Sequence, residues 1–513
     1  MGGGFCHPSF CLLKMISAFT NIFRVPELRV RILFTFALLV VVRVGAFITC
    51  PGVNASVLQH WFDNQLNSQS GGSVAALFNI FSGGSLENCA VFSLGVMPYI
   101  SASIMMQLLT AVVPTLGKLA REEGGRHKIS QLTRYATIGL CLFQGYLLAL
   151  SFENPGQSPI LHGIDQTIAQ LGIPLVNHPG FAFRLIVVVT LTAGTLLLMW
   201  LGDQITDRGI GNGMSLIISV GILSRFPAGL LQAWKTFVPA DRVASQVSPL
   251  VLVLLIIFLF AVIAAVICLT QGQRRISVQY AKRVVGKKIY GGQTQYMPLK
   301  VNYAGVMPII FAQALLIFPS TIAMMAFRNS PEVQKIANLL AQGFWHYVLY
   351  AALIFFFSYF WVATQFQPQQ IADDLKKYGG YVPGVRPGQD TAKFLDTVMT
   401  RLTFAGAVFL VVVAILPQML SKQLNVPDVT AQFFGGTSLL IVVGVVLDTM
   451  RQVETHLIQR NYDGFLKRGR IRGRSERTPE GRGELTEQKT LVSVYVGLAV
   501  VLLVGVILFI ARR

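Results

Sequence analysis

The chain has 513 residues, 53% of them hydrophobic and only 13% charged, with a formal net charge of +19 and a mean hydropathy of +0.58. A soluble domain carries about a quarter charged residues, so a water-soluble enzyme or binding module is excluded. The positive charge sits in loops between apolar blocks, which disfavours a nucleic-acid-binding face and favours a chain embedded in lipid.

Apolar blocks of roughly 18 to 25 residues match the ~30 Å hydrocarbon core, where only a helix satisfies its own backbone. In chain order they predict spans near 32–50, 90–113, 135–152, 183–201, 214–232, 249–269, 303–327, 346–366, 402–420, 433–450 and 490–511. The expected class is an all-α membrane protein: ten transmembrane helices in two inverted five-helix halves, plus an eleventh C-terminal helix. The expected organisation is a cytoplasmic segment 1–28, a first half 29–233, a second half 249–468, a basic linker 469–489 and the extra helix 490–511. Arg225 and Pro227 interrupt the fifth span, the least regular of the set. Most of the 42 Lys and Arg fall on the side that holds the N-terminus, which places that end in the cytoplasm.

Between the first two spans, residues 71–84 form a short apolar stretch framed by glycine pairs. It is too short to cross, so a re-entrant or interfacial helix is expected, placed to stop a pathway's mouth. In the second span Gly95-Val-Met-Pro98 repeats as Gly305-Val-Met-Pro308 in the seventh. Two five-span halves put both copies on corresponding helices, and an odd number of spans per half forces opposite orientations. Pro98 and Pro308 are expected to break their helices at a matching depth, which suits a mobile seam.

Three basic loops lie on the cytoplasmic side. Residues 115–134 leave lipid binding and partner docking equally open. Residues 270–302, with Arg274, Arg275, Lys282 and Arg283 and no acid, are long for a connector and favour docking. Residues 367–401 mix signs around Tyr381-Val-Pro-Gly-Val-Arg-Pro-Gly388.

The spans offer little chemistry. A carrier for ions or small solutes places carboxylates, His or Lys inside its helices, and these helices contain almost none. The seven histidines sit in loops or at span ends, and no catalytic pair occurs, so neither a metal nor a cofactor is expected. Arg43, within the first span, is the exception and carries no assigned role. Gly209-Ile-Gly-Asn-Gly213 follows a membrane helix rather than a strand, so a tight turn is expected and not a phosphate cradle. None of the six cysteines forms a C-x-x-C; Cys50 and Cys89 both fall near the outer face, and whether they pair is open. A secondary transporter for a small solute is the alternative reading.

Several longer motifs carry a resemblance: Phe78-Asn-Ile-Phe-Ser-Gly-Gly84, Met97-Pro-Tyr-Ile-Ser-Ala-Ser-Ile104, Lys128-Ile-Ser-Gln131, the run Trp200 to Gly213, Gly272-Gln-Arg-Arg275, Val382 to Gly388, and Phe434 to Val443. In this order, over roughly residues 29–468, the sequence resembles the SecY family, channel subunits of the bacterial Sec protein translocase. The resemblance implies a protein-conducting channel in the bacterial cytoplasmic membrane that passes secretory proteins across and releases membrane segments sideways. It implies a pore ring of Val96, Ile100, Ile218, Ile310 and Ile441, with Met214 adjacent. It implies a plug near 72–83 with Val74, Leu77, Phe78, Asn79, Ile80 and Phe81. A lateral gate at Pro98, Ile104 and Pro308 follows, and a docking face at Arg274, Arg275, Lys282, Arg283 and Arg386. The implied partners are SecE and SecG subunits, the SecA motor, the ribosome, signal-sequence-bearing polypeptides and the lipid bilayer. The sequence departs from the family at Thr270-Gln271, at Val96 where isoleucine is usual, and in the extension after residue 468.

Overall fold

The computed structural model describes residues 26–67, 79, 82–122, 124–155, 161, 163–237, 249–280, 283–285, 288–290, 294–313, 315–316, 343–424 and 437–468. The expected linker 469–489 and terminal span 490–511 lie outside these residues. So do Val74, Leu77, Phe78, Ile80 and Phe81 of the expected plug, and Lys282.

Helices follow the apolar blocks. The first half contains α1 (Pro26–Gly45), α2 (Ala55–Asn67), α3 (Met97–Val112), α4 (Pro114–Arg121), α5 (Gly125–Glu153), α6 (Ile164–Leu171), α7 (Phe181–Arg208) and α8 (Gly213–Phe237). The second contains α9 (Pro249–Gln271), a helical segment α10 over residues 307–313, α11 (Phe344–Gln365), α12 (Pro368–Lys377), α13 (Gln389–Leu424) and α14 (Thr437–Arg468). Among the described residues, five helices are long and apolar enough to cross a bilayer: His127–Glu153, Phe181–Arg208, Gly213–Leu231, Phe344–Lys377 and Gln389–Leu416. Large apolar side chains such as Phe36, Phe181, Leu185, Phe260 and Phe344 stand exposed on the helix surfaces, an arrangement that lipid tolerates and water does not.

Two expectations change in detail. The second span does not run from 90: residues 91–96 are turns, and α3 starts at Met97. Pro98 occupies the first turn, where its missing N–H has no intrahelical partner to lose. The prolines therefore start helices rather than break them, since Pro308 holds the same place in α10. In both copies of the repeat the glycine is left-handed, with φ of +58° at Gly95 and +64° at Gly305. In both copies the isoleucine N–H closes the first turn, Ile100 to Val96 O at 3.1 Å and Ile310 to Val306 O at 3.4 Å. Four identical residues thus build the same turn-to-helix entry twice.

The second difference is β-structure in the basic loop. β1 (Gln273–Tyr280) pairs antiparallel with β4 (Thr294–Lys300), Arg275 facing Pro298 and Ser277 facing Tyr296. β2 (Arg283–Val285) pairs with β3 (Lys288–Tyr290), and β5 (Gly380–Tyr381) adds to the free edge of β1. Ile276 and Val278 alternate inward along β1 and pack with Leu299, Val382, Phe366, Leu395 and Met399. The loops 270–302 and 367–401 therefore form one structural unit.

Two apolar clusters organise the membrane part. One joins α1, α7 and α8 with Phe92, Val96, Ile441 and Val445. The other joins α9, α10, α11, α13 and α14 with Ile104 of α3.

Candidate functional site

These two clusters meet at a seam. Val96, just before α3, and Ile218 of α8 are buried with Ile441 of α14 and Met214 in one cluster. Ile100 and Ile310 are half-buried and pack against both that cluster and the second. All five expected ring residues therefore converge from four elements, two of each half. Ile100 follows Val96 by one helical turn, as Ile218 follows Met214, so each pair presents one face. Pro98 and Pro308 are buried at the helix entries beside this point, and Ile104 lies a turn further along α3 among second-half side chains. Val306 presses on α14 so closely that a Cβ at Gly444 would stand 2.8 Å from its Cγ1.

Toward the C-terminal end of α1 lies a polar network that sequence reasoning missed. Arg225 of α8 pairs with the Glu87 carboxylate, both side chains only 18% exposed. Asn79 donates to the same carboxylate at 3.1 Å, and its own side-chain oxygen accepts the Glu87 N–H at 3.2 Å. Arg43 of α1 donates to the Gly83 carbonyl at 2.6 Å and stands 5.2 Å over the Phe47 ring. The fit is tight enough to require glycine: Gly83, at φ +67°, lies where a Cβ would come 2.7 Å from the Gly221 backbone. Two basic residues that interrupt apolar spans, Arg43 and Arg225, were the only visible signal, because a buried cation implies a partner without naming it.

On the other side, the turn 209–212 fastens the helix ends together. Ile210 N–H donates to Thr35 at 3.1 Å, Gly211 N–H to Gln452 at 2.9 Å, and Gly213 N–H to Thr206 at 2.9 Å. With these N–H groups already bonded to protein, the turn has none of them to offer a phosphate. Arg274 and Arg275 are exposed on β1, Arg386 is exposed in the loop after β5, and Arg283 opens β2. Arg274 and Arg275, consecutive on the strand, leave opposite faces of the sheet. Among the described residues no group of three His, Cys, Asp or Glu could hold a metal ion.

Packed aliphatic side chains between membrane helices do not by themselves define a pore; comparison with known proteins identifies the family. The SecY family model matches residues 90–450. The protein translocase subunit SecY of Aquifex aeolicus is 44% identical over 450 residues, covering 87% of this chain and 98% of that one. Its counterpart in Escherichia coli K12 is 44% identical over 451 residues, covering 87% and 96%. A solved structure of a protein conducting channel superposes with a TM-score of 0.55 at 16% identity, covering 83% of this chain and 91% of that one. Sec61 in the canine ribosome-channel complex from the endoplasmic reticulum gives 0.52 at 16% identity over the same shares, and both show the fold. The chain belongs to the SecY family. It is a multi-pass membrane protein and a non-enzymatic, protein-conducting channel.

Proposed function

We propose that unfolded secretory polypeptides cross the bilayer through the seam where Val96, Ile100, Ile218, Ile310 and Ile441 meet, and that apolar segments leave sideways into lipid between α3 and α10. The convergence of those five aliphatic side chains from both halves carries the reading. A narrow aliphatic constriction dewets and blocks ions, yet flexible side chains can close around a passing chain. A segment exposed at the Pro98–Ile104–Pro308 seam partitions into lipid at about 0.3–0.6 kcal/mol per Leu, Ile, Phe or Val. Residues 72–83 act as the plug, and the Asn79–Glu87–Arg225 network holds its end in the closed state.

The topology that accompanies this reading is ten spans in two inverted halves, 29–233 and 249–468, with the N-terminus in the cytoplasm of a bacterium and 490–511 as an added anchor. Arg274, Arg275, Lys282, Arg283 and Arg386 dock the SecA motor or a ribosome, which supply the driving force. SecE and SecG complete the channel. The twice-built entry at Gly95–Pro98 and Gly305–Pro308 supports the inverted repeat. A small-solute transporter is disfavoured because side chains at the seam are aliphatic and offer a solute no polar contact.

The test is site-specific crosslinking of a stalled secretory precursor to cysteine at position 100 or 310, in membranes carrying this chain and its partners. A crosslink that depends on the precursor's signal sequence is expected at both. A correctly inserted chain whose competent precursor reaches neither position would overturn the pathway.

A further inference from the structure

Cys50 and Cys89 face each other just beyond the end of α1. Thr49 and Ala90 form an antiparallel bridge, flanked by Val91 N–H donating to Ile48 O at 2.9 Å and Cys50 N–H donating to Cys89 O at 2.7 Å. Cys50 and Cys89 flank this bridge and share the second of these hydrogen bonds, and hydrogen-bonded antiparallel neighbours have Cα atoms about 5.5 Å apart. That lies inside the window of about 4.4–6.8 Å that a disulfide spans. Both side chains are buried, 2% and 0% exposed, in the same apolar cluster.

Cys89 has a second peculiarity. Its φ is +45°, and among the described residues no other non-glycine has a positive value. Such backbone favours Gly or Asn, so a Cβ-bearing residue held there points to a requirement for its side chain. Both sulfurs are thiols in this structure. Burial pushes the Cys50 thiol up to about 11 and the Cys89 thiol higher still. A folded chain therefore holds almost no thiolate at neutral pH, and exchange must come before burial.

We propose that Cys50 and Cys89 form a disulfide that staples the end of α1 to the turns leading into α3. The proposal rests on the orientation given above, in which both lie on the oxidising outer side. During folding the thiolate of one cysteine attacks a disulfide of the outer compartment, carried by a protein oxidoreductase or a small molecule. The second thiolate displaces that carrier from the mixed disulfide. The carrier leaves with the two electrons and the two protons that the cysteine thiols gave up, as a dithiol or a pair of thiols, and the Cys50–Cys89 bond replaces the one broken. The linked chain holds the entry to α3 against the end of α1, whatever the residues between them do. Burial then shields the bond from reductants.

The experiment maps peptides from the full chain, purified in its membrane, denatured, and alkylated without reductant. The expected result is a Cys50–Cys89 peptide pair, lighter by two hydrogens than the two thiol peptides and lost on reduction. Asp63→Cys, exposed on α2, tests the orientation with a membrane-impermeant maleimide. Free Cys50 and Cys89 in a chain whose position 63 labels from outside would overturn the staple alone. Free cysteines with no outside labelling would overturn both the staple and the orientation.

Discussion

Glu87→Gln should loosen the closed channel. The carboxylate is the shared acceptor for Arg225 and Asn79, and the turn it belongs to is also held through the Gly83 carbonyl by Arg43. Glutamine keeps the shape and a bond to Asn79 but leaves the Arg225 guanidinium without its counter-ion. Removing one partner of a fully buried pair costs about 3–5 kcal/mol, while an exposed pair contributes about 0–1 kcal/mol. With both side chains 18% exposed, the loss falls between these limits, at about 2–3 kcal/mol. At about 1.4 kcal/mol per tenfold, the population with this turn released rises roughly 30- to 140-fold. Resting ion conductance of the reconstituted channel in planar bilayers reads that population directly. Arg225→Gln added to Glu87→Gln removes the orphaned charge and should recover most of the closure, because a neutral pair leaves no buried ion. A correctly inserted Glu87→Gln channel that conducts like the parent would refute the idea that this network holds the closed state.

Ile100→Ser with Ile310→Ser removes two half-buried aliphatic side chains from the seam, each worth about 1 kcal/mol of apolar burial, so resting leak should rise on the order of tenfold or more in the same conductance assay. Arg386→Glu reverses charge at an exposed position, where a surface change shifts stability by about 0.5 kcal/mol or less. Export of a model precursor should fall while the amount of chain in the membrane stays constant. Gly83→Ala would set a methyl 2.7 Å from the Gly221 Cα at a φ of +67°, so the turn must shift; conductance should rise, whereas Gly139→Ala, on a helix with open space around it, should leave conductance unchanged.

The membrane class and most helices were legible because lipid imposes one rule, length plus apolarity, that a sequence displays directly. The ends were not. The block at 90–113 reads as one span, but Gly95 in a left-handed turn and Pro98 in a first helical turn move the start of α3 to Met97. Hydropathy is blind to that choice, which backbone geometry makes. β1 was legible in principle, since Ile276, Val278 and Tyr280 alternate with Ser277 and Gln279, but a run of positive charge masks a strand only eight residues long.

The seam and the network above it differ in the same way. Aliphatic residues at the constriction look like any others in a span; helical spacing links Val96 to Ile100 and Met214 to Ile218 but says nothing of Ile441, more than two hundred residues away. Family motifs supplied that long-range pairing, and the packing of the five side chains is consistent with it. Glu87 had no such help. It lies in no long motif, and its partner is 138 residues distant on a helix whose only anomaly is an arginine. The physics still constrains the answer: a guanidinium inside an apolar helix needs an acceptor, and the segment between α1 and α3 offers few carboxylates. The twofold use of Gly-Val-Met-Pro argues further. If the prolines merely kinked two helices, nothing would require the glycine three residues earlier. Because each proline begins a helix, the chain must reverse just before it, and a left-handed glycine makes that reversal at both Gly95 and Gly305. The motif is therefore a single instruction for where a helix enters the seam, issued once in each half.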